Sequence, residues 1–117
     1  MRGYRDLIAW QKGMQLVAAI YKATQSFPRE ELFGLTSQLR RAAVSVPSNI
    51  AEGYARNSRN EIRHFIGLAR GSLAEIEIQV EIARMLNLIT DETAKTLLAK
   101  TDELGRILAG LKSWTTA

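Results

Sequence analysis

The feature that most restricts this chain is a row of apolar residues at alternating steps of four and three: Ile62, Ile66, Ala69, Leu73, Ile76, Val80 and Ala83. An α-helix places that series on one face, and three heptads of it require other helices to cover the stripe. Phe65, Leu68, Ile78, Ile82 and Met85 fall outside the stripe. A helix this apolar sits centrally in its fold, or turns a second face to another subunit. The pattern predicts a helix over about residues 59–87, opened by Ser58 and Glu61 as a capping box in which each side chain satisfies a free amide.

The same spacing recurs in Leu35, Leu39, Ala42, Val46, Ile50 and Gly53, and it continues straight through Pro47. An unbroken stripe on both sides of the proline predicts one kinked helix over about residues 36–55, with Thr36 as its cap, in place of two helices. Pro47 removes the bond to the carbonyl of Ala43, a loss of ~3 kcal/mol in a plain helix interior. Ser45, Ser48 and Asn49 are the side chains able to reoccupy the freed backbone groups. Upstream, Leu7, Trp10, Met14, Val17 and Tyr21 mark the face of a first helix over about residues 6–26, capped by Asp6 and stopped by Phe27-Pro28. Pro28, Glu30 and Glu31 begin a short turn that ends at Gly34. Downstream, Ala94, Leu97, Thr101, Leu104, Leu108 and Leu111 mark a fourth helix over about residues 91–113, capped by Thr90 and fraying near Trp114. Asp91 and Glu92 suit its positive start. Four helices, each about 30 Å long and joined by short loops, predict an all-α, up-down-up-down antiparallel four-helix bundle, one domain over residues 1–117.

Composition narrows the chemistry. The 117 residues suffice for a core without staples, and the absence of cysteine removes disulfides and thiolate metal sites, which fits a reducing, cytoplasmic setting. The single histidine removes His-cluster metal sites. Glu77 and Glu81 share a face with Glu75 nearby, but di-metal bundles draw carboxylates from several helices; Glu61 and His64 give the Glu-x-x-His spacing once, and the cap already explains that glutamate. No cofactor or metal is expected. Ser45 or Ser48 with His64 lacks a third orienting group and an oxyanion site, so no enzyme is expected. Gly67, Gly71, Gly105 and Gly110 form no phosphate loop; on helices they permit close packing. No run of about 18 apolar residues crosses a membrane, and the start of the chain lacks the apolar core of a signal peptide.

Charge points to a partner. Residues 37–73 hold Arg40, Arg41, Arg56, Arg59, Arg63 and Arg70, together with His64, against Glu52 and Glu61 alone. This third of the chain therefore matches the +4 of the whole. Arg59, Arg63 and Arg70 lie at steps of four and seven, hence on one flank of the third helix. Arginine pairs bidentately with phosphate, so one expectation is a sequence-blind, salt-sensitive contact with nucleic-acid backbone. The other pairs these arginines with Glu52, Glu61, Glu75 and Glu77 in surface or intersubunit salt bridges. A helix-turn-helix reader centred on this turn fits less well, because both flanking helices are too long and too apolar.

Residues 35–53, LTSQLRRAAVSVPSNIAEG, resemble the hallmark of the small four-helix-bundle proteins encoded in intervening sequences of bacterial 23S rRNA genes. The DLIAWQK of residues 6–12 and the ARGSLAE of residues 69–75 are similar to the same family. That family is similar in fold to the accessory protein of diversity-generating retroelements, a basic pentameric barrel that binds a reverse transcriptase and nucleic acid. The resemblance implies an up-down four-helix bundle, a homopentameric ring and no established enzyme activity; RNA, DNA or another protein is the expected partner. Arg40, Arg41, Ser45, Pro47, Ser48, Asn49, Glu52 and Gly53 match the motif, and the family gives them no proven task. The charge of +4 is mild beside the strongly basic retroelement proteins. Two expectations follow: a non-catalytic oligomeric bundle that contacts structured RNA or DNA through an arginine ridge, or a ring-forming scaffold without nucleic acid.

Overall fold

The computed structural model describes residues 3–116, and its long elements are four helices: α1 (Ile8–Thr24), α2 (Leu35–Tyr54), α3 (Arg59–Met85) and α4 (Asp91–Thr116). Short 3-10 turns at Gly3–Asp6 and Arg29–Glu31 precede α1 and α2, and no strand occurs among the described residues. Each helix packs on its neighbours in sequence and α4 closes back on α1, while the backbones of the diagonal pairs lie further apart. That is an up-down-up-down antiparallel four-helix bundle. Its long axis of 43 Å is about the length of α3, since 27 residues at a rise of ~1.5 Å make ~40 Å.

The stripes expected for α2, α3 and α4 are the ones that are buried. Leu35, Leu39, Ala42, Val46, Ile50 and Gly53 face the core from α2, and all seven residues of the α3 row are buried. Ala94, Leu97, Thr101, Leu104 and Leu108 do the same from α4, with Leu111 partly covered. The face expected for α1 is displaced. The buried residues are Ala9, Gly13, Leu16, Ile20 and Thr24, while Met14 and Tyr21 lie exposed at the flank. The cause is Pro47. Its ring lies 3.3 Å from a Cβ built on Gly13, so α1 approaches α2 closely there through the smallest residue available.

α2 is one helix, continuous through Pro47. The three polar side chains around the proline donate to carbonyls other than the freed one of Ala43, contrary to expectation: Ser45 to Ala42 at 2.8 Å, Ser48 to Val44 at 2.8 Å and Asn49 to Ser45 at 2.8 Å. The Ser45 hydroxyl also shares a hydrogen bond across to that of Ser72 on α3. Gly53 provides the second close approach, where an added Cβ would meet the Cβ of Phe65 at 2.9 Å. Much of the 35–53 motif is thereby accounted for as packing, with α1 seated on one side of α2 and α3 on the other.

Two caps differ from expectation. Asp6 belongs to the first 3-10 turn and α1 starts after Leu7, which offers no capping side chain. Thr36 is buried inside α2, whose N-cap is Gly34; the Glu31 carboxylate accepts from the Leu35 amide at 3.2 Å instead. The capping oxygens of the other two follow the sequence, although the Glu61 carboxylate turns to Arg56 in place of completing the expected box. Ser58 accepts from the Glu61 amide at 3.1 Å and Thr90 from the Thr93 amide at 3.0 Å. α3 ends in a left-handed residue, Asn87 at φ 60°, with the Leu88 amide reaching Ala83 at 2.8 Å and the Asn87 amide reaching Arg84 at 3.0 Å. This is the Schellman arrangement, with asparagine in the place usually taken by glycine. α4 does not fray at Trp114. It runs to Thr116 because Thr115 is buried and its hydroxyl bonds back to the Lys112 carbonyl at 2.6 Å. No helix among the described residues is long and apolar enough to cross a membrane.

Candidate nucleic-acid interface

The arginines singled out by the sequence fall into two groups at opposite ends of the bundle. Arg40 lies in the first half of α2, opposite the end of α1, where its Nε donates to Thr24 Oγ1 at 2.9 Å and its guanidinium stacks 4.6 Å from the Tyr21 ring centroid. It is half-buried and pins α1 to α2. Arg41, the next residue, turns to solvent. The remaining four and His64 cluster around the α2–α3 turn and the first half of α3.

There Arg56 is held by Glu52 at 3.5 Å and Glu61 at 3.3 Å, with its guanidinium 5.4 Å from the Phe65 ring. Glu61 therefore serves Arg56 with its side chain while its amide is capped by Ser58. Arg59 lies 5.0 Å over the ring of Trp114 at the end of α4. Arg63 donates to Asn60 one turn back. His64 is exposed, its ring edge-on to Phe65 at 5.1 Å. Arg70 is exposed on the α4 side of α3, sharing a shallow cleft with Thr101, Gly105 and Arg106. Arg59 and Arg70 thus run along the α3–α4 seam, with Arg63 between them on the same flank.

The bundle is electrically lopsided. Ser45 against Ser72 and Gly105 against Leu73 mark its middle. Two ion pairs straddle that level, Lys12–Glu103 at 3.1 Å and Arg106–Asp102. Apart from these pairs, the half with the α2–α3 turn holds six cations against three anions among the described residues, and the other half seven against seven. The excess positive charge of the described chain lies at one end. A low-dielectric bundle with its charge so placed attracts polyanions to that end.

Sequence reasoning missed the aromatic partners of these arginines. Trp114, placed at a fraying terminus, is 46% exposed beneath Arg59. Tyr4 and Trp10 pack at 5.3 Å, with Arg5 5.4 Å and 5.7 Å from the two rings. None of these pairs has a sequence signal, because Arg59 and Trp114 lie on different helices and the partners of Arg5 depend on how the 3-10 turn folds onto α1. Burial raises the pKa of Tyr54, at the end of α2, above its ordinary value.

A family model described as 23S rRNA-intervening sequence protein matches residues 5–110. The chain belongs to that family. Among solved structures, it is similar to a protein of unknown function from the S23 ribosomal protein family of Bacteroides thetaiotaomicron, with a TM-score of 0.81 and 20% identity. The alignment covers 90% of this chain and 98% of that one, which shows a shared fold. No match is found among curated proteins. The matched region includes all of α2.

Proposed function

We propose that this chain is a non-catalytic, self-assembling bundle whose basic end contacts the phosphate backbone of structured RNA or DNA. The observation that carries the reading is the lopsided charge: the described excess of cations lies around the α2–α3 turn, and Arg59, Arg63 and Arg70 follow one flank of α3 from it. Such a surface reads phosphate spacing and not bases, so affinity falls with salt as counterions are released. Binding of a generic RNA hairpin, followed by anisotropy at low and moderate salt, tests it. A steep loss is expected; a flat response, or no binding at low salt, overturns it.

A separate observation favours self-assembly. Gly67 and Gly71 stand mid-helix on α3 with nothing within 4 Å of an added Cβ. Each costs about 1 kcal/mol of helix propensity, with no packing reason among the described residues. Beside them Leu68 is exposed, and further along α3 Ile78 is 63% and Met85 71% exposed. A second copy laid against this face would use both the small residues and the apolar ones, and the family resemblance makes a ring of five the assembly to expect. If that face builds a scaffold and the turn arginines form intersubunit ion pairs, assembly occurs without any nucleic acid.

A further inference from the structure

We propose that the basic end takes unpaired nucleotides, with a base stacking on the Arg59–Trp114 pair while the neighbouring arginines hold its phosphates. This deepens, and rests on, the nucleic-acid reading above.

Charge alone would accept any polyanion, paired or unpaired. This end combines an excess of cations with planar groups interleaved among them, whereas the Arg40–Tyr21 stack lies in the half where charges balance. The Arg59 guanidinium lies 5.0 Å over an indole that is 46% exposed. That indole is not on a loose tail, since the next residue, Thr115, is buried and bonded to the Lys112 carbonyl. Close by in sequence, the exposed His64 ring meets Phe65 edge-on, and Arg56 covers Phe65 from the turn. Two arginine–aromatic stacks therefore flank the α2–α3 turn. A base whose faces are free extends such a stack, on indole or on guanidinium, whatever its identity. Inside a duplex those faces are already stacked on neighbouring pairs and are unreachable. The geometry therefore favours single strands, loops and tails over a continuous helix of equal charge.

The chain has two tryptophans, Trp10 and Trp114. A Trp10→Phe variant leaves Trp114 as the sole indole and its emission as a local reporter. That variant is titrated at low salt with oligouridylate, oligothymidylate and a fully paired RNA duplex of equal phosphate number, with binding scored independently by mobility shift. The expected result is tighter binding of the single strands, with quenching of Trp114. In the wild-type background, Trp114→Ala weakens single-strand binding about tenfold and spares the duplex, while Trp114→Phe keeps most of the affinity. A difference between the uridylate and thymidylate arms that persists with oligodeoxyuridylate, which lacks the thymine methyl, assigns the strand to RNA or DNA through the 2′-hydroxyl. Equal binding of all three with unchanged Trp114 emission overturns the stacking proposal and leaves the polyanion reading standing. Absence of binding by any of them overturns both. If Trp114→Ala is shown by circular dichroism to be misfolded, the emission of the Trp10→Phe protein and the Trp114→Phe variant still decide the matter.

Discussion

Gly13 and Pro47 are the contact on which α1 meets α2: a Cβ on Gly13 would lie 3.3 Å from the proline Cβ and 3.5 Å from its Cδ. A proline inside a helix gives up a backbone hydrogen bond, and here its rigid ring becomes the surface against which the first helix is seated. Gly13→Val places two methyl groups on that ring. It is expected to lower the unfolding free energy by about 1–3 kcal/mol, as overpacking does, read from the urea midpoint.

The glycines of α2 and α3 separate into opposite classes. Gly53→Ala pushes a methyl to 2.9 Å from the Phe65 Cβ, so the gain of up to about 1 kcal/mol in propensity is outweighed and stability falls. A Cβ at residue 71 meets nothing within 4 Å among the described residues, so Gly71→Leu is expected to fold. If α3 packs on a second copy through this face, light scattering shows the assembly of that variant reduced to smaller species. A full-sized assembly places the interface elsewhere.

The arginines separate by position as well. Arg40→Met keeps the aliphatic stem and loses the Thr24 hydrogen bond and the Tyr21 stack, a destabilisation of about 1–2 kcal/mol. Its affinity for RNA is expected to stay near that of the wild type. Arg59→Ala with Arg63→Ala is expected to do the reverse, leaving the fold intact and reducing the salt slope by about 1 for each phosphate that an arginine no longer neutralises. Dissociation of the double variant to monomer would instead assign these arginines to intersubunit ion pairs.

Much of this architecture is legible in the sequence, and the exceptions have physical causes. The stripes of α2, α3 and α4 are aliphatic and regular, so periodicity finds them. α1 misleads because Trp10, Met14 and Tyr21 dominate any apolar pattern, whereas the true packing face contains Ala9 and Gly13, which carry almost none. Asp6 and Thr36 are suitable caps by residue type, but tertiary packing moves the starts of both helices. The basic end is visible as an arginine-rich third of the chain. What is not visible is that Arg40 is occupied between helices and that Trp114 lies under Arg59, since both depend on meetings between residues distant in sequence.

Alkaline titration offers an independent check on the end of α2. Burial favours the neutral phenol of Tyr54, so its pKa is raised in the folded state. The folded protein then binds more protons than the unfolded chain once pH exceeds the ordinary tyrosine value of about 10, and stability must fall with rising pH across that window. Below it Tyr54 contributes no pH dependence. Tyr54→Phe is expected to show a shallower decline above pH 10 in urea titrations.

The central claim is that this bundle assembles and presents its basic end to nucleic acid. Size exclusion coupled to light scattering, with and without a generic structured RNA at low salt, tests it most directly. The expected result is a particle of several 13.1 kDa chains that gains the mass of bound RNA and loses it as salt is raised. A 13.1 kDa monomer whose mass is unchanged by RNA would contradict it.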